Sequence, residues 1–300
     1  MTTGSESGGA EVVLGPARYG KAEVRLLHVD RAGPQHVITD LNVSVTLSGD
    51  LAETYLTGDN ARVLTTDAQK NTVYALARKF GVTPVEEFGL RLARHFAAVP
   101  AVDRAQVRIE QYAWRRIEAG GALHPHSFER LAGTRVASVH VRDGGGAEVV
   151  AGVDDLVLLK SSGSEFQGFL TDPYTTLEPT QDRILATAVR GHWRYADTGQ
   201  AWDAAFAGAR AALVEAFAAT YSRSLQQTLY AMGEAVLAAC PGICEARFSL
   251  PNKHHFLVDL APFGLDNPGE VFYAADRPYG LIEGTARRAG AAPGDQDHQW

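Results

Sequence analysis

Cysteine and long apolar runs are scarce in this chain, and each shortage argues against a class of protein. Only Cys240 and Cys244 occur among 300 residues, so a disulfide framework is excluded in practice and a reducing cytoplasm is the expected location. No apolar run approaches the roughly 18–20 residues that a membrane-spanning helix needs. The first ten residues are small, polar and rich in glycine and serine, which does not fit a secretory signal peptide.

Excess positive charge and the common cofactor motifs are also missing. The net charge is −7, which argues against nucleic acid or an anionic membrane as the main partner. The chain has no Gly-x-Gly-x-x-Gly phosphate loop, no cysteine-rich ligand set and no carboxylate pair beside a histidine. It does have apolar content, because 45% of its residues are hydrophobic, enough for one large or two medium cores.

The spacing of apolar residues predicts the same order of elements twice. The first half has predicted strands at 20–30 and 35–48, helices at 67–80 and 84–97, and strands at 104–116 and 135–141. The second half has strands at 147–160 and near 183–193, helices at 202–220 and 224–239, and strands at 246–260 and 280–287. Three glycines at 144–146 mark the midpoint.

This β-β-α-α-β-β order predicts an α+β protein with antiparallel sheets and both helices of each half on one face. The other face of such an apolar sheet also needs cover, so we expect oligomerisation. His124 and His126 resemble a metal-binding pair but are interpreted as part of a loop between two strands.

The segment SLPNKHHF at 249–256 is the most informative in the chain. It leads into FLVDL at 256–260, whose composition is that of a buried strand. An amide, a lysine and two histidines at the start of a buried strand are unfavourable if they have no partners. The cost is a few kcal/mol for each neutral group and more for the ammonium. They either pair with one another or face a bound molecule, and we favour the bound molecule.

Thr66 and Lys21 each have a sufficient structural explanation when taken alone. Thr66 precedes a helix predicted to begin at Asp67, and its hydroxyl would accept from the backbone N–H of Gln69 in a capping box. Lys21 begins the first strand, where an exposed lysine is ordinary.

Phe166, Arg183 and Gln226 also have ordinary explanations. Phe166 lies in a glycine-bounded loop, where core packing is the default but a ring can also be a stacking platform. Arg183 and Gln226 are surface residues by default. Together they could form a planar, multidentate grip on an amide-rich anion.

Five motifs together give the chain a resemblance to a known family. They are YGK at 19–21, TTDAQKNT at 65–72, LLKSSGSEF at 158–166, DRIL at 182–185 and LPNKH at 250–254. In this order they closely resemble urate oxidase (uricase), over about residues 12–288. The segment SLQQT at 224–228 is similar to the start of the substrate-binding helix of that family.

The resemblance implies two tandem T-fold domains, at residues 12–145 and 146–288. It leaves a disordered tail at 1–11 and a flexible tail at 289–300. Four chains would form a homotetrameric tunnel with helices on the outer face and active sites at interfaces between subunits. The implied reaction is that of urate with O2 and water to give 5-hydroxyisourate and hydrogen peroxide, with no cofactor and no metal.

The resemblance also assigns roles to single residues on the substrate. Phe166 would stack on the purine ring, Arg183 and Gln226 would grip one edge, and the backbone of Leu225 would add a contact. Thr66 and Asp67 would hold the opposite edge, at a helix N-terminus whose dipole favours anionic oxygen. Asn252 would hold oxygen and then the attacking water above the ring.

Lys21, Thr66 and His254 would form the proton relay. A lysine acts as a base here only if burial lowers its pKa. Thr66 would pass the proton, and His254 would orient and recharge Lys21. The alternatives are a T-fold protein that binds a pterin or a purine without catalysis and a T-fold enzyme that acts on pterins or another planar heterocycle. Such enzymes generally need a glutamate anchor, and some use a metal, so metal analysis and a urate absorbance assay would separate them.

Overall fold

A computed structural model describes residues 12–275 and 277–294, and in that part of the chain both halves share one antiparallel sheet of eight strands. The strands are β1 (Tyr19–Asp30), β2 (Val37–Gly49), β3 (Val102–Ala119), β4 (Ala122–Arg142), β5 (Ala147–Lys160), β6 (Leu185–Tyr195), β7 (Ile243–Asn252), β8 (His255–Leu257), β9 (Phe272–Ala274) and β10 (Gly280–Arg287). The large sheet has the order β1-β2-β3-β4-β5-β6-β7-β10, while β8 and β9 form a separate small ribbon.

Five helices accompany the strands in the described residues. They are α1 (Ala52–Leu56), α2 (Thr66–Phe80), α3 (Val85–Ala97), α4 (Trp202–Ala219) and α5 (Leu225–Ala239). Each half therefore has the predicted β-β-α-α-β-β order, which confirms the α+β class. No helix in these ranges is long and apolar enough to cross a membrane.

The core lies between the helices and one face of the sheet. Leu41, Val43 and Val45 alternate with more exposed residues along β2 and are essentially fully buried, as period-two side-chain alternation requires. Helix α5 packs closely against the edge strand β10. A Cβ added at Gly233 would lie only 2.6 Å from Cβ of Ala286. Glycine is therefore required there for close packing.

The face opposite the helices carries both polar and apolar side chains. Arg108 of β3 and His192 of β6 both bond Asp154 of β5, at 2.9 and 2.8 Å. Val157 and Leu159, farther along β5, are 59% and 53% exposed. Only part of this face is therefore an apolar surface of the kind that led us to expect oligomerisation.

Three local predictions were wrong. The short helix α1 was not predicted. His124 and His126 lie within the continuous strand β4, not in a loop, and their rings are 4.5 Å apart.

The described residues contain no group of three or more His, Cys, Asp or Glu side chains that could hold a metal ion.

The third error concerns residues 256–260. Only His255–Leu257 forms a strand, and Phe256 and Leu257 are 52% and 53% exposed. The buried strand of this region is β7, which ends at Asn252. Apolar composition alone misplaced the strand, because a short apolar run has no periodicity to separate a buried strand from an exposed ribbon.

The domain boundary predicted at 145/146 lies in the turn between β4 and β5. The predicted disorder of residues 1–11 and flexibility of 295–300 concern residues outside the described ranges. Residues 289–294 lie along the sheet, where Arg194 Nη2 donates to the carbonyl of Ala292 at 2.5 Å. The division into two domains and two tails stays a prediction.

Candidate active site

The loop between β5 and β6 holds Phe166 at its base. The carboxylate of Asp182 accepts from Gly163 N at 2.9 Å and from Ser162 Oγ at 2.8 Å. The hydrogen bond from Ser162 is the main cause of the lowered pKa of Asp182. Phe166 and Thr180 exchange backbone hydrogen bonds, both of 2.9 Å. These bonds fix the backbone of Phe166, while its ring stacks on Phe169 with centroids 5.1 Å apart and planes at 14°.

Arg183 is held against the same loop. Its backbone N–H donates to Ser164 O at 2.8 Å, and its Nε donates to Ser164 Oγ at 3.4 Å. Its guanidinium carbon lies 5.0 Å from the centroid of the Phe166 ring. Burial lowers the pKa of Arg183, but a guanidinium remains charged in a protein. A fixed cation therefore lies over a flat ring.

Helix α5 is tied to this loop through Ser222. Ser222 N donates to Gly163 O at 2.9 Å, and Glu165 N donates to Ser222 O at 2.7 Å. The helix then begins at Leu225, capped by Ser224 Oγ, which accepts from Gln227 N at 3.1 Å. Leu225 is buried and Gln226 is exposed in the first turn, where backbone N–H groups lack helical partners and favour an anion.

Asn252 and His254 approach the same place at the end of β7. Lys253 N donates to Ala186 O at 2.8 Å, which holds this segment beside the start of β6, next to Arg183. His254 is half-buried, and its ring stacks on that of Phe256 with centroids 5.7 Å apart. The structure therefore brings together the segments that carry all six site residues predicted from the second half of the chain.

Burial lowers the pKa of His254 below its ordinary value, and the charges of Arg183 and His255 add to this effect. Above the lowered pKa the imidazole is neutral and can accept a proton from a relay partner. Because the unfolded chain binds this proton more readily, His254 makes the folded protein less stable as pH falls through about 6.5 and below.

Arg183→Gln should raise the pKa of His254, because the repulsive guanidinium charge is removed. The midpoint can be measured by a pH titration of ¹³C-labelled histidine side chains by NMR, with the His254 signal assigned from a His254→Gln variant. An unchanged or lower midpoint in Arg183→Gln would contradict the proximity of the two groups.

The first-half residues form a second group at the opposite edge of the sheet. Tyr19 Oη accepts from Leu64 N at 3.0 Å and donates to Leu64 O at 3.1 Å, which ties β1 to the segment before α2. Lys21 is half-buried and lies just before a bulge in β1, a feature that often re-aims side chains near active sites.

Asp67 stands in the first turn of α2, and its carboxylate lies 2.5 Å from Lys70 Nζ. The hydrogen bond from Lys70 is the main cause of the lowered pKa of Asp67, and the charge of Lys21 is a smaller one. Lys21 is therefore close enough to Asp67 to interact with it through charge.

The helix cap differs from the one predicted. The N-cap of α2 is Thr65, whose hydroxyl accepts from Ala68 N at 3.1 Å. Thr66 is the first helical residue, and within the described ranges its hydroxyl makes no hydrogen bond. The cap is thus one residue earlier than predicted. The Thr66 hydroxyl therefore has no capping role that would compete with a role in proton transfer.

The two groups are far apart within one chain. Lys21 lies in the edge strand β1 and Asn252 lies in β7, six strand positions away. At about 4.8 Å between neighbouring strands, that separation is roughly 29 Å along the sheet. The second-half residues converge, and Lys21 and Asp67 adjoin one another, but one chain does not bring the two groups together.

Several supporting residues were not identified from the sequence. Tyr19, Ser164 and Asp182 lie within the five motifs but have no role in the resemblance, and Ser222 lies outside all of them. Each acts through a hydrogen bond to a residue distant in sequence. The only local signal was their position inside or beside the motifs.

The chain is similar to known proteins of one family over almost its whole length. A family model described as Uricase matches residues 17–139 and 149–283. The uricase of Arthrobacter globiformis is 51% identical over 290 residues, covering 96% of this chain and 94% of that protein. The uricase of Dictyostelium discoideum is 39% identical and covers 91% and 96%. The crystal structure of the Arthrobacter globiformis uricase matches with a TM-score of 0.91 at 50% identity, covering 96% of this chain and 99% of that one.

The doubled β-β-α-α-β-β order in one antiparallel sheet defines a tandem T-fold protein. With matches to the family model across both halves and 51% identity over almost the whole chain, the chain belongs to the uricase family.

Proposed function

We propose that the chain is a urate oxidase whose active site joins the second-half group of one subunit to the first-half group of another. In the reaction, urate gives two electrons to O2, and water adds to the oxidised ring, which yields 5-hydroxyisourate and hydrogen peroxide. Membership in the uricase family supports the substrate. The observation that carries the assignment is the convergence of the segments that hold Phe166, Arg183, Gln226, Asn252 and His254.

The second-half group suits a flat anion. Phe166 offers a ring for stacking, and Arg183 offers a charge and N–H donors in one plane. Gln226 can both donate and accept along an edge with alternating N–H and C=O groups. The backbone of Leu225 adds a donor at the helix N-terminus, where an anion is favoured.

The first-half group supplies the base and the other edge of the substrate. Thr66 and Asp67 begin helix α2, and Lys21 lies near them. In the proposed relay, Lys21 takes a proton through the Thr66 hydroxyl, and His254 of another subunit orients and recharges Lys21. Asn252 holds O2 and then the attacking water. General acid–base steps of this kind contribute about 10²–10⁴ in rate.

Assembly into a homotetramer is part of the proposal. Both outer strands of the large sheet, β1 and β10, have a free edge within the described residues, and open edges favour pairing with another chain. The separation of the two groups supports a site between subunits. The buried thiols of Cys240 and Cys244, which form no disulfide, support a cytoplasmic location.

Loss of urate absorbance with release of peroxide tests the proposed function directly. The protein would first be treated with chelator and shown to be metal-free by elemental analysis. We expect one peroxide per urate consumed, with no added cofactor. Metal-free protein that binds urate without consuming it would instead favour a purine-binding protein without catalytic activity.

Arg183→Gln should weaken the binding of a non-reacting purine analogue by roughly thirtyfold, because a charge-assisted hydrogen bond is worth about 2 kcal/mol. Isothermal titration calorimetry measures the dissociation constant. Arg210→Gln is a suitable control, since Arg210 lies on helix α4, away from the site. An unchanged dissociation constant in Arg183→Gln would remove Arg183 from the substrate site.

A further inference from the structure

Thr187 is a buried polar residue to which none of the roles above applies. It lies in β6 with no exposed surface. Its Oγ has no hydrogen-bond partner within the part of the chain that the structure describes. Burial of an unpaired hydroxyl is unfavourable, and valine would fill nearly the same volume without this cost. A threonine at this position therefore calls for a reason beyond packing.

Thr187 directly faces Asn252 across the β6–β7 ladder. Lys253 N donates to Ala186 O at 2.8 Å, so residues 186 and 253 form a hydrogen-bonded pair. The next pair, Thr187 and Asn252, is then of the closely spaced kind, with Cα atoms about 4.5 Å apart and both side chains on one face. The unpaired hydroxyl is thus within reach of the Asn252 amide.

The Asn252 side chain also makes no hydrogen bond to any described residue, although its backbone is held between β6 and β10. An asparagine amide can present either its oxygen or its nitrogen to a ligand. Without an anchor it can rotate between the two, and a molecule bound above it would then meet a donor or an acceptor. A neighbouring hydroxyl that donates to the amide oxygen would remove this ambiguity.

We propose that Thr187 is a positioning residue for Asn252. Its hydroxyl donates to Asn252 Oδ1 when substrate is bound and turns the Nδ2–H₂ group toward the bound oxygen or water. The β-branched side chain of Thr187 has restricted χ1 freedom, so the donor is fixed in direction. The inference rests on the proposed role of Asn252, and Thr187 itself does not touch urate.

Thr187→Val removes the hydroxyl and keeps the shape. We expect kcat to fall about tenfold or more, the scale of a small misplacement in a reacting group, and the apparent KM for O2 to rise. The KM for urate should change less than twofold, because the residues that grip urate are intact. The Tm should rise by about 2 °C, since a buried unpaired hydroxyl is removed.

Thr187→Ser provides the matched comparison because it keeps the hydroxyl and loses the methyl group. It should retain kcat within about threefold but lower the Tm, since a small cavity is created. Thr228→Val is a second control. The Thr228 hydroxyl is also fully buried, but it donates to Ser222 Oγ at 2.8 Å, so its removal should lower the Tm.

The proposal predicts opposite orders of activity and stability for the two Thr187 variants. A Thr187→Val variant with wild-type kcat and wild-type KM for O2 would overturn the positioning role of Thr187. The proposed oxidation of urate by the wild-type protein would still stand. A Tm decrease in Thr187→Val similar to that in Thr228→Val would also overturn the positioning role, because the hydroxyl would then be a structural one. If the wild-type protein does not oxidise urate, the proposed function fails first.

Discussion

Lys21→Met lowers kcat for urate by an expected two to three orders of magnitude, and Thr66→Ala does the same. Loss of a general base or its proton carrier typically costs about 10²–10⁴ in rate. The affinity of Lys21→Met for a purine analogue should change much less, because the contacts of Arg183, Gln226 and Thr66 are retained. Steady-state oxidation of urate, followed by absorbance, measures kcat for each variant.

The helix cap provides a sharp comparison for this result. Thr65→Ala removes the hydroxyl that caps α2 and should cost about 1 kcal/mol of folding free energy. Thr66→Ala should leave the Tm almost unchanged, since its hydroxyl makes no hydrogen bond within the described ranges. Lys79→Met is the control for loss of a lysine charge, since Lys79 lies in the last turn of α2. Near-normal kcat in both Lys21→Met and Thr66→Ala would refute the relay.

Mixing Thr66→Ala chains with Arg183→Gln chains should restore activity after dissociation and reassembly, when turnover is measured at a urate concentration far below the raised KM of Arg183→Gln. One site in four would receive an intact first half from one chain and an intact second half from the other if the subunits assort at random. Recovery of about a quarter of the wild-type activity is therefore expected. The measurement is urate turnover in the mixture, after native mass spectrometry has verified hetero-assembly.

A mixture of Lys21→Met with Thr66→Ala is the matched control. Both changes lie in the first-half group, so every mixed site keeps one defective first half and no activity should return. No recovery in the first mixture despite verified hetero-assembly would place each site within one chain. Activity of a dilute monomer would have the same meaning. Recovery in the control would instead mean that Lys21 and Thr66 reach one site from different chains.

Most of the regular elements could be predicted from the sequence because their signals are local. The alternation in β2 and the helical spacing of apolar residues in α3 predict both element and buried face. The strand at residues 147–160 agrees with β5 in both bounds. The prediction failed where the pattern was short, at α1 and at residues 256–260. It also failed at His124 and His126, since proline within a segment favours a loop or edge interpretation.

The candidate residues came from motifs, but their relations to one another did not. Ser164 supports Arg183 through a hydrogen bond that spans 19 residues, and Tyr19 holds Leu64 across 45. Thr187 carried no motif signal at all. Its importance lies in a missing hydrogen bond, which only packing reveals.

The sequence by itself determined the order of elements, the family and the identity of the residues that resemble its active site. These features depend on short-range spacing and on residue types, which can be read directly from the sequence. The tertiary structure decided that Thr65 caps α2 in place of Thr66. The first helical residue depends on backbone angles, and residue type cannot distinguish two adjacent threonines. The tertiary structure also decided the separation of Lys21 from Asn252, since strand order in a sheet is set by long-range pairing that no local pattern encodes.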